Sequence, residues 1–157
     1  MSSRIANPTD VMNAIKTKVY LDTSVFIRLF KGTRSLWELF SEQVLERFTY
    51  VTSPVVYQEL LLAVERSHEQ INLEVVEEYV QLLPLDYLDS SDELRNQIRQ
   101  LRNRVFHSND VLIIGSVLNS GCRYLLTYDN ALIKAAEGLD FTAVTPEKFM
   151  SLEQVSP

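Results

Sequence analysis

Short apolar runs that end in polar corners alternate along this chain with stretches of helical period. Val19-Tyr20-Leu21 stops at Asp22, which Thr23 and Ser24 follow. An unbroken apolar run of this kind predicts a strand covered on both faces, here over residues 18–21, and Asp22 to Ser24 a polar corner. A helix follows from about Ser24 to Lys31, with Gly32 as its stop. Ser35 opens a second helix, in which Leu36, Leu39, Phe40 and Val44 share one face at spacings of three and four. Residues 48–52 predict the next strand. Ser53-Pro54 then starts a helix to about Arg66, with serine as cap and proline in the first helical position. That helix turns Val55, Val56, Leu60, Leu61 and Val64 inward and carries Glu59 near its first turns.

Asn72 caps a helix over 73–80. Residues 82–85 predict a short strand that Pro84 confines to an edge or an end. Ser90 or Ser91 opens a long helix to about Phe106, with Leu94, Ile98, Leu101 and Val105 as its core stripe. Ser108-Asn109-Asp110 is a cap cluster before residues 111–118, apolar nearly all round and so a buried helix that Gly121 ends. Residues 124–127 predict a strand closed by Tyr128-Asp129-Asn130. A helix over 130–137 stops at Gly138, a last strand covers 142–145, and Pro146 starts a terminal helix. Residues 1–16 are polar and lack a strong period. They read as a peripheral extension in which Thr9 caps a short helix, and residues 151–157 read as a polar tail. Strands thus alternate with helices throughout, which predicts an α/β three-layer sandwich with a mainly parallel sheet of four or five strands. In such a sheet ligands bind outside the carboxyl ends of the strands, and Asp22 and Asp129 both fall there.

Composition narrows this picture only a little. The 157 residues suit one domain, and 46% apolar with 23% charged residues is ordinary for a globular protein. No stretch approaches the ~20 apolar residues of a membrane span. The first residues show no secretory pattern, so the cytoplasm is the expected compartment. A single cysteine, Cys122, excludes an internal disulfide and reads more simply as a buried small side chain than as a reactive thiol. His68 and His107 lack ligand spacing. The net charge of −6 argues against a nucleic-acid binder unless the acidic residues are grouped in a site with a basic rim.

Four carboxylates raise that possibility. Asp22, Glu59, Asp110 and Asp129 stand at strand ends or in the first turns of helices. Magnesium and manganese are hard cations that take oxygen ligands, and several carboxylates brought together repel one another unless a cation joins them. Asp22, Asp110 and Asp129 are candidate ligands, and Glu59 a ligand or a water-orienting group. Thr23, Ser24 and Thr127 are placed to bond the carboxylates. Each acid also has a plainer reading: Asp22 and Asp110 as helix caps, Asp129 as a turn residue, Glu59 as an exposed helical position. Arg28, Lys31 and Arg34 follow the Asp22 corner, Arg95, Arg99 and Arg102 make one helical stripe, and Tyr128 is a candidate base-stacking residue. The arginine stripe reads more readily as a solvated face than as an RNA rim. Phe26, Phe30, Trp37 and Phe40 are core, or a face for a partner.

Leu21-Asp22-Thr23-Ser24, Ser53-Pro54-Val55-Val56-Tyr57-Gln58-Glu59-Leu60, Asn109-Asp110-Val111-Leu112-Ile113 and Leu126-Thr127-Tyr128-Asp129 occur in this order. With them the chain resembles the PIN domain ribonucleases over about residues 17–150, and more narrowly the VapC-type toxins of toxin–antitoxin pairs. The resemblance implies a metal-dependent endoribonuclease whose Asp22, Glu59, Asp110 and Asp129 are catalytic and bind Mg2+ or Mn2+. It also implies an RNA substrate, an antitoxin partner and a homodimer. Many family members carry a further acid two places after the fourth carboxylate. Ala131 stands there, so one ion is expected and a second is in question. A binding module that lost the chemistry and a housekeeping nuclease stay open as alternatives. Aspartyl phosphotransfer fits less well, since Ser24 stands where a second Asp is usual and no glycine-rich phosphate loop is present.

Overall fold

The computed structural model describes residues 15–66, 73–87 and 108–155. Five strands form one parallel sheet in the order β3-β2-β1-β4-β5: β1 Thr17–Leu21, β2 Phe48–Thr52, β3 Leu85–Tyr87, β4 Tyr124–Leu126 and β5 Thr142–Val144. Helices α1 Thr23–Phe30, α2 Glu42–Leu45, α3 Pro54–Arg66, α4 Leu73–Leu82, α5 Ser108–Ser120, α6 Asn130–Ala135 and α7 Pro146–Leu152 connect and cover it. The α/β sandwich expected from the alternating pattern is therefore the fold.

β1 is the central strand. It pairs with β2 on one side, Val19 opposite Tyr50, and with β4 on the other, Val19 opposite Tyr124. The strand order thus reverses at β1. In an open parallel sheet such a reversal leaves a crevice at the carboxyl ends of the two strands concerned. Here those ends are Asp22 and Thr127. The unbroken apolar runs explain the arrangement: Val19, Tyr20, Leu21, Leu125 and Leu126 are all fully buried, which suits a strand covered on both faces. The two buried tyrosines keep their hydroxyls paired. Tyr20 Oη bonds Ser53 Oγ at 2.6 Å, and Tyr50 Oη donates to the Leu39 carbonyl at 2.7 Å.

Helix ends follow the sequence signals. Lys31 closes α1 and Gly32 takes φ +89, a conformation that only glycine adopts without strain. Gly121 does the same after α5 at φ +68. In α3, Val56, Leu60 and Val64 are buried at spacings of four.

Two elements depart from expectation. The single helix expected from Ser35 is a 3-10 helix, Arg34–Phe40, followed by the short α2. Leu36, Leu39 and Val44 are buried as expected. However, Tyr50 takes the Leu39 carbonyl and Ser41 is extended at ψ 151, so the α-helical ladder cannot run through. The strand expected over 82–85 lies later, at Leu85–Tyr87, on the sheet edge. Pro84 has no N–H to pair, Leu85 N turns back to Leu83 O at 2.8 Å, and Leu82 ends α4 with 80% exposure.

The segment expected as a polar tail instead packs on the domain. Helix α7 runs to Leu152, and Val155 is buried. Arg47 grips Glu153 through its carboxylate at 2.9 Å and its carbonyl at 3.0 Å, and Tyr124 Oη donates to the same carboxylate. The helix expected after Thr9, the Asn72 cap and the helix ending near Phe106 lie outside the described residues. No helix among the described residues is long and apolar enough to cross a membrane.

Candidate active site

Asp22 sits where β1 gives way to α1. Its backbone is extended, its N–H donates to Leu126 O at 3.0 Å, and its carboxylate accepts from Ser24 N at 3.4 Å to cap the helix. Asp22 is thus a helix cap, as its plainer reading has it. Asp22 is 5% exposed. Three donors meet its Oδ2: Thr127 Oγ1 at 2.7 Å, Ser24 Oγ at 2.8 Å and the Ser24 N–H. Burial pushes the Asp22 carboxyl above its ordinary value. The hydroxyls of Thr127 and Ser24 and the N–H groups of Thr23 and Ser24 pull it back part of the way. Among the described residues no lysine, arginine or histidine forms an ion pair with Asp22 or Glu59.

Thr127 and Ser24 join the two strand ends. Thr127 is fully buried, and its oxygen also accepts from Asp129 N at 3.0 Å. Ser24 Oγ accepts from Tyr128 N at 3.0 Å. The β4 loop is thereby laid against the β1 corner. Asp129 caps α6 by accepting from Ala131 N at 2.8 Å and Leu132 N at 3.3 Å through Oδ1. It is exposed, as is Ala131.

Glu59 comes in from α3, half-buried. Both of its oxygens are held: Oε2 accepts from Thr23 Oγ1 at 2.6 Å and Oε1 from Asn109 Nδ2 at 2.7 Å. Asn109 lies in the first turn of α5, which includes Ser108, Asn109 and Asp110 rather than starting after them. Asp110 is half-buried beside it. Asn109 was expected as part of a cap cluster and of the motif before Asp110, with no role of its own, and its bond to Glu59 across fifty positions has no signature in local spacing.

Two hydrogen-bonded threads therefore run through the acids. One joins Asp22 through Thr127 to the Asp129 backbone. The other joins Thr23, next to Asp22, through Glu59 to Asn109, next to Asp110. Among the described residues no three Asp, Glu, His or Cys side chains form a ready-made metal-ligating group. Asp22 and Glu59 enter these threads through their carboxylates, Asp129 through its backbone N–H and Asp110 only as the chain neighbour of Asn109. The donor chemistry still suits a hard divalent cation, because every candidate ligand is an oxygen and Asp22 is buried with no opposing charge among the described residues.

Of the expected basic rim, Arg28, Lys31 and Arg34 are exposed. The Arg28 guanidinium lies 3.7 Å from the centroid of the Tyr128 ring, and Tyr128 Oη donates to Glu147 Oε1 at 2.7 Å. Arg95, Arg99 and Arg102 lie outside the described residues. Cys122 is buried, as expected.

The family model described as PIN domain matches residues 19–138. The chain belongs to the PIN domain family. No curated protein is similar enough in sequence to count as a relative. Solved structures share the PIN fold at low identity. VapBC2 from Rickettsia felis, bound to a DNA fragment from its promoter, matches with TM-score 0.68 and 18% identity, over 82% of this chain and 98% of that one. VapBC-1 from nontypeable Haemophilus influenzae matches with TM-score 0.65 and 20% identity, over 82% and 98%. A toxin–antitoxin complex from Klebsiella pneumoniae matches with TM-score 0.59 and 19% identity, over 82% and 97%. In this PIN domain the matched residues run from the middle of β1 to the end of the α6 turn and so include all four acids.

Proposed function

We propose that this PIN domain is a metal-dependent endoribonuclease that hydrolyses RNA phosphodiester bonds in the cytoplasm, as the toxin of a toxin–antitoxin pair. The observation that carries the reading is Asp22. It is a buried carboxylate with no ion pair among the described residues, held at the reversal point of the sheet and threaded to Asp129 through Thr127. Burying such a charge is costly unless an opposite charge meets it. The toxin–antitoxin neighbours support the second half of the proposal and point to an antitoxin as partner.

Asp22, Asp110 and Asp129 hold Mg2+ or Mn2+ in this reading. An ion held there would supply a water of lowered pKa and stabilise charge on the phosphate. Thr127 and Ser24 fix the Asp22 carboxylate through Oδ2 and so present its other oxygen. Glu59, held at both oxygens by Thr23 and Asn109, is set to orient the attacking water and accept its hydrogen bond. Ala131 offers no further ligand, which favours one ion. Arg28, Lys31 and Arg34 provide the positive rim for a polyanion.

Calorimetric titration with Mn2+, beside Asp22→Asn and Asp110→Asn, tests this together with cleavage of pooled RNA. Saturable binding and cleavage, both lost in the variants, are expected. Equal cleavage by the variants would place the chemistry elsewhere. A second reading, a PIN fold kept only for binding, is favoured by the absence of a ready-made metal group among the described residues. Cleavage that requires Mn2+ excludes it.

A further inference from the structure

Tyr128 is fixed at three points that the proposed chemistry does not need. Its N–H bonds Ser24 Oγ, its hydroxyl donates to Glu147 on α7, and one face of its ring is covered by Arg28 from α1. A distance of 3.7 Å from guanidinium carbon to ring centroid is stacking distance. Tyr128 is half-buried, whereas Arg28 is exposed. Among the described residues Arg28 has no carboxylate within ion-pairing distance. A cation thus lies over a ring whose hydroxyl and backbone N–H are both bonded, two contacts from Asp22: Tyr128 N to Ser24 Oγ, and Ser24 Oγ to Asp22 Oδ2.

We propose that Arg28 and Tyr128 form a stacking platform for one unpaired nucleobase of a single-stranded RNA, next to the phosphate presented to the carboxylates. The proposal rests on the nuclease reading and adds two residues that position its substrate. A guanidinium stacked on a tyrosine offers its outer face to a base and its edge N–H groups to phosphate oxygens. Every base has a π-face, so such a platform tolerates sequence, yet it demands a base free of a duplex stack. The location also answers an electrostatic difficulty. A polyanion must approach a pocket of carboxylates on a chain of net charge −6, and a pre-oriented cation at its lip lowers that barrier.

The test measures fluorescence anisotropy of labelled single-stranded RNA dodecamers of mixed sequence with Mn2+, and cleavage of the same RNA. Arg28→Lys keeps the charge but loses the flat face. Tyr128→Leu removes the ring. Melting midpoints and Mn2+ affinity by calorimetry monitor the fold and the carboxylates. Both variants are expected to bind about tenfold more weakly, the scale of one lost base stack. RNA annealed to its complement is expected to bind the parent as weakly as single strands bind the variants. Arg28→Lys also covers the case in which Tyr128→Leu fails to fold. Binding equal to the parent in Arg28→Lys, or equal binding of the duplex, overturns the platform while cleavage by the parent keeps the nuclease reading. The expected binding pattern without any cleavage upholds the platform and overturns the nuclease reading. Neither binding nor cleavage overturns both.

Discussion

Thr127 gives its hydroxyl hydrogen to Asp22 at 2.7 Å, across the gap between the ends of β4 and β1. The same oxygen takes the Asp129 N–H at 3.0 Å, so one buried hydroxyl sets two acids relative to each other. Thr127→Val keeps the shape and removes both bonds. It leaves a buried carboxylate short of a donor and an N–H short of an acceptor, at a cost of about 2 kcal/mol. Thr127→Ser restores both bonds and most of that loss. Urea unfolding of the two variants measures the difference. RNA cleavage is expected to fall more than tenfold in Thr127→Val. Equal stability in valine and serine variants would show that the hydroxyl is idle.

Asp22→Asn is expected to stabilise the metal-free protein. Burial raises the folded-state pKa of Asp22 above the ordinary 3.8. A carboxyl shifted this way favours folding when protonated, and that contribution is lost as pH rises through the raised value. At neutral pH the ionised group therefore opposes folding, and asparagine removes the opposition. A gain of about 1 kcal/mol, or ~3 °C in Tm, is expected in chelator at pH 7. The gain should shrink as the parent is acidified toward pH 4. Mn2+ should raise the Tm of the parent and leave the variant unmoved. A variant that melts below the parent in chelator at pH 7 would contradict the account.

Asn109 and Thr23 hold opposite oxygens of Glu59, at 2.7 and 2.6 Å. Asn109→Ala and Thr23→Val should each reduce kcat/KM for RNA about tenfold. Together they should cost less than the product of the two, because the second change acts on a carboxylate already loose. A double-mutant cycle on cleavage provides the check. Fully multiplicative losses would mean that the two residues do not act through Glu59.

Cys122 is 3% exposed and burial pushes its thiol up to about 11, with the Ser120 hydroxyl and Lys18 opposing the rise. Little thiolate is present at pH 8 and access is poor, so a disulfide reagent should label the native protein at least about a hundredfold more slowly than the urea-unfolded chain. Comparable rates would show that the β4 end of the core opens readily.

The centre of the sheet was legible because β1 and β4 carry unbroken apolar runs with no competing period. Asp22 and Asp129 were legible because each closes such a run. The 3-10 helix was not, since Leu36, Leu39 and Phe40 satisfy spacings of three and four together, and the deciding group, the Tyr50 hydroxyl, belongs to another strand. The shift of β3 past Pro84 was foreshadowed by the missing N–H, though its direction was not. Asn109 was hidden for a different reason. Its partner is set by how α3 and α5 pack, and a helix-start asparagine looks like a cap from sequence. The burial of Val155 is equally non-local, since Arg47, just before β2, and Tyr124, at the start of β4, pin Glu153.

That last grip has a practical side. Arg47 and Tyr124 stand at the amino ends of β2 and β4, the pole opposite the carboxylates, and Lys16 ties down there too, through Leu45 O. Purification tags, dyes or surface anchors joined near residue 155 therefore depart from the far pole. An immobilised protein mounted that way presents its cleft to solution.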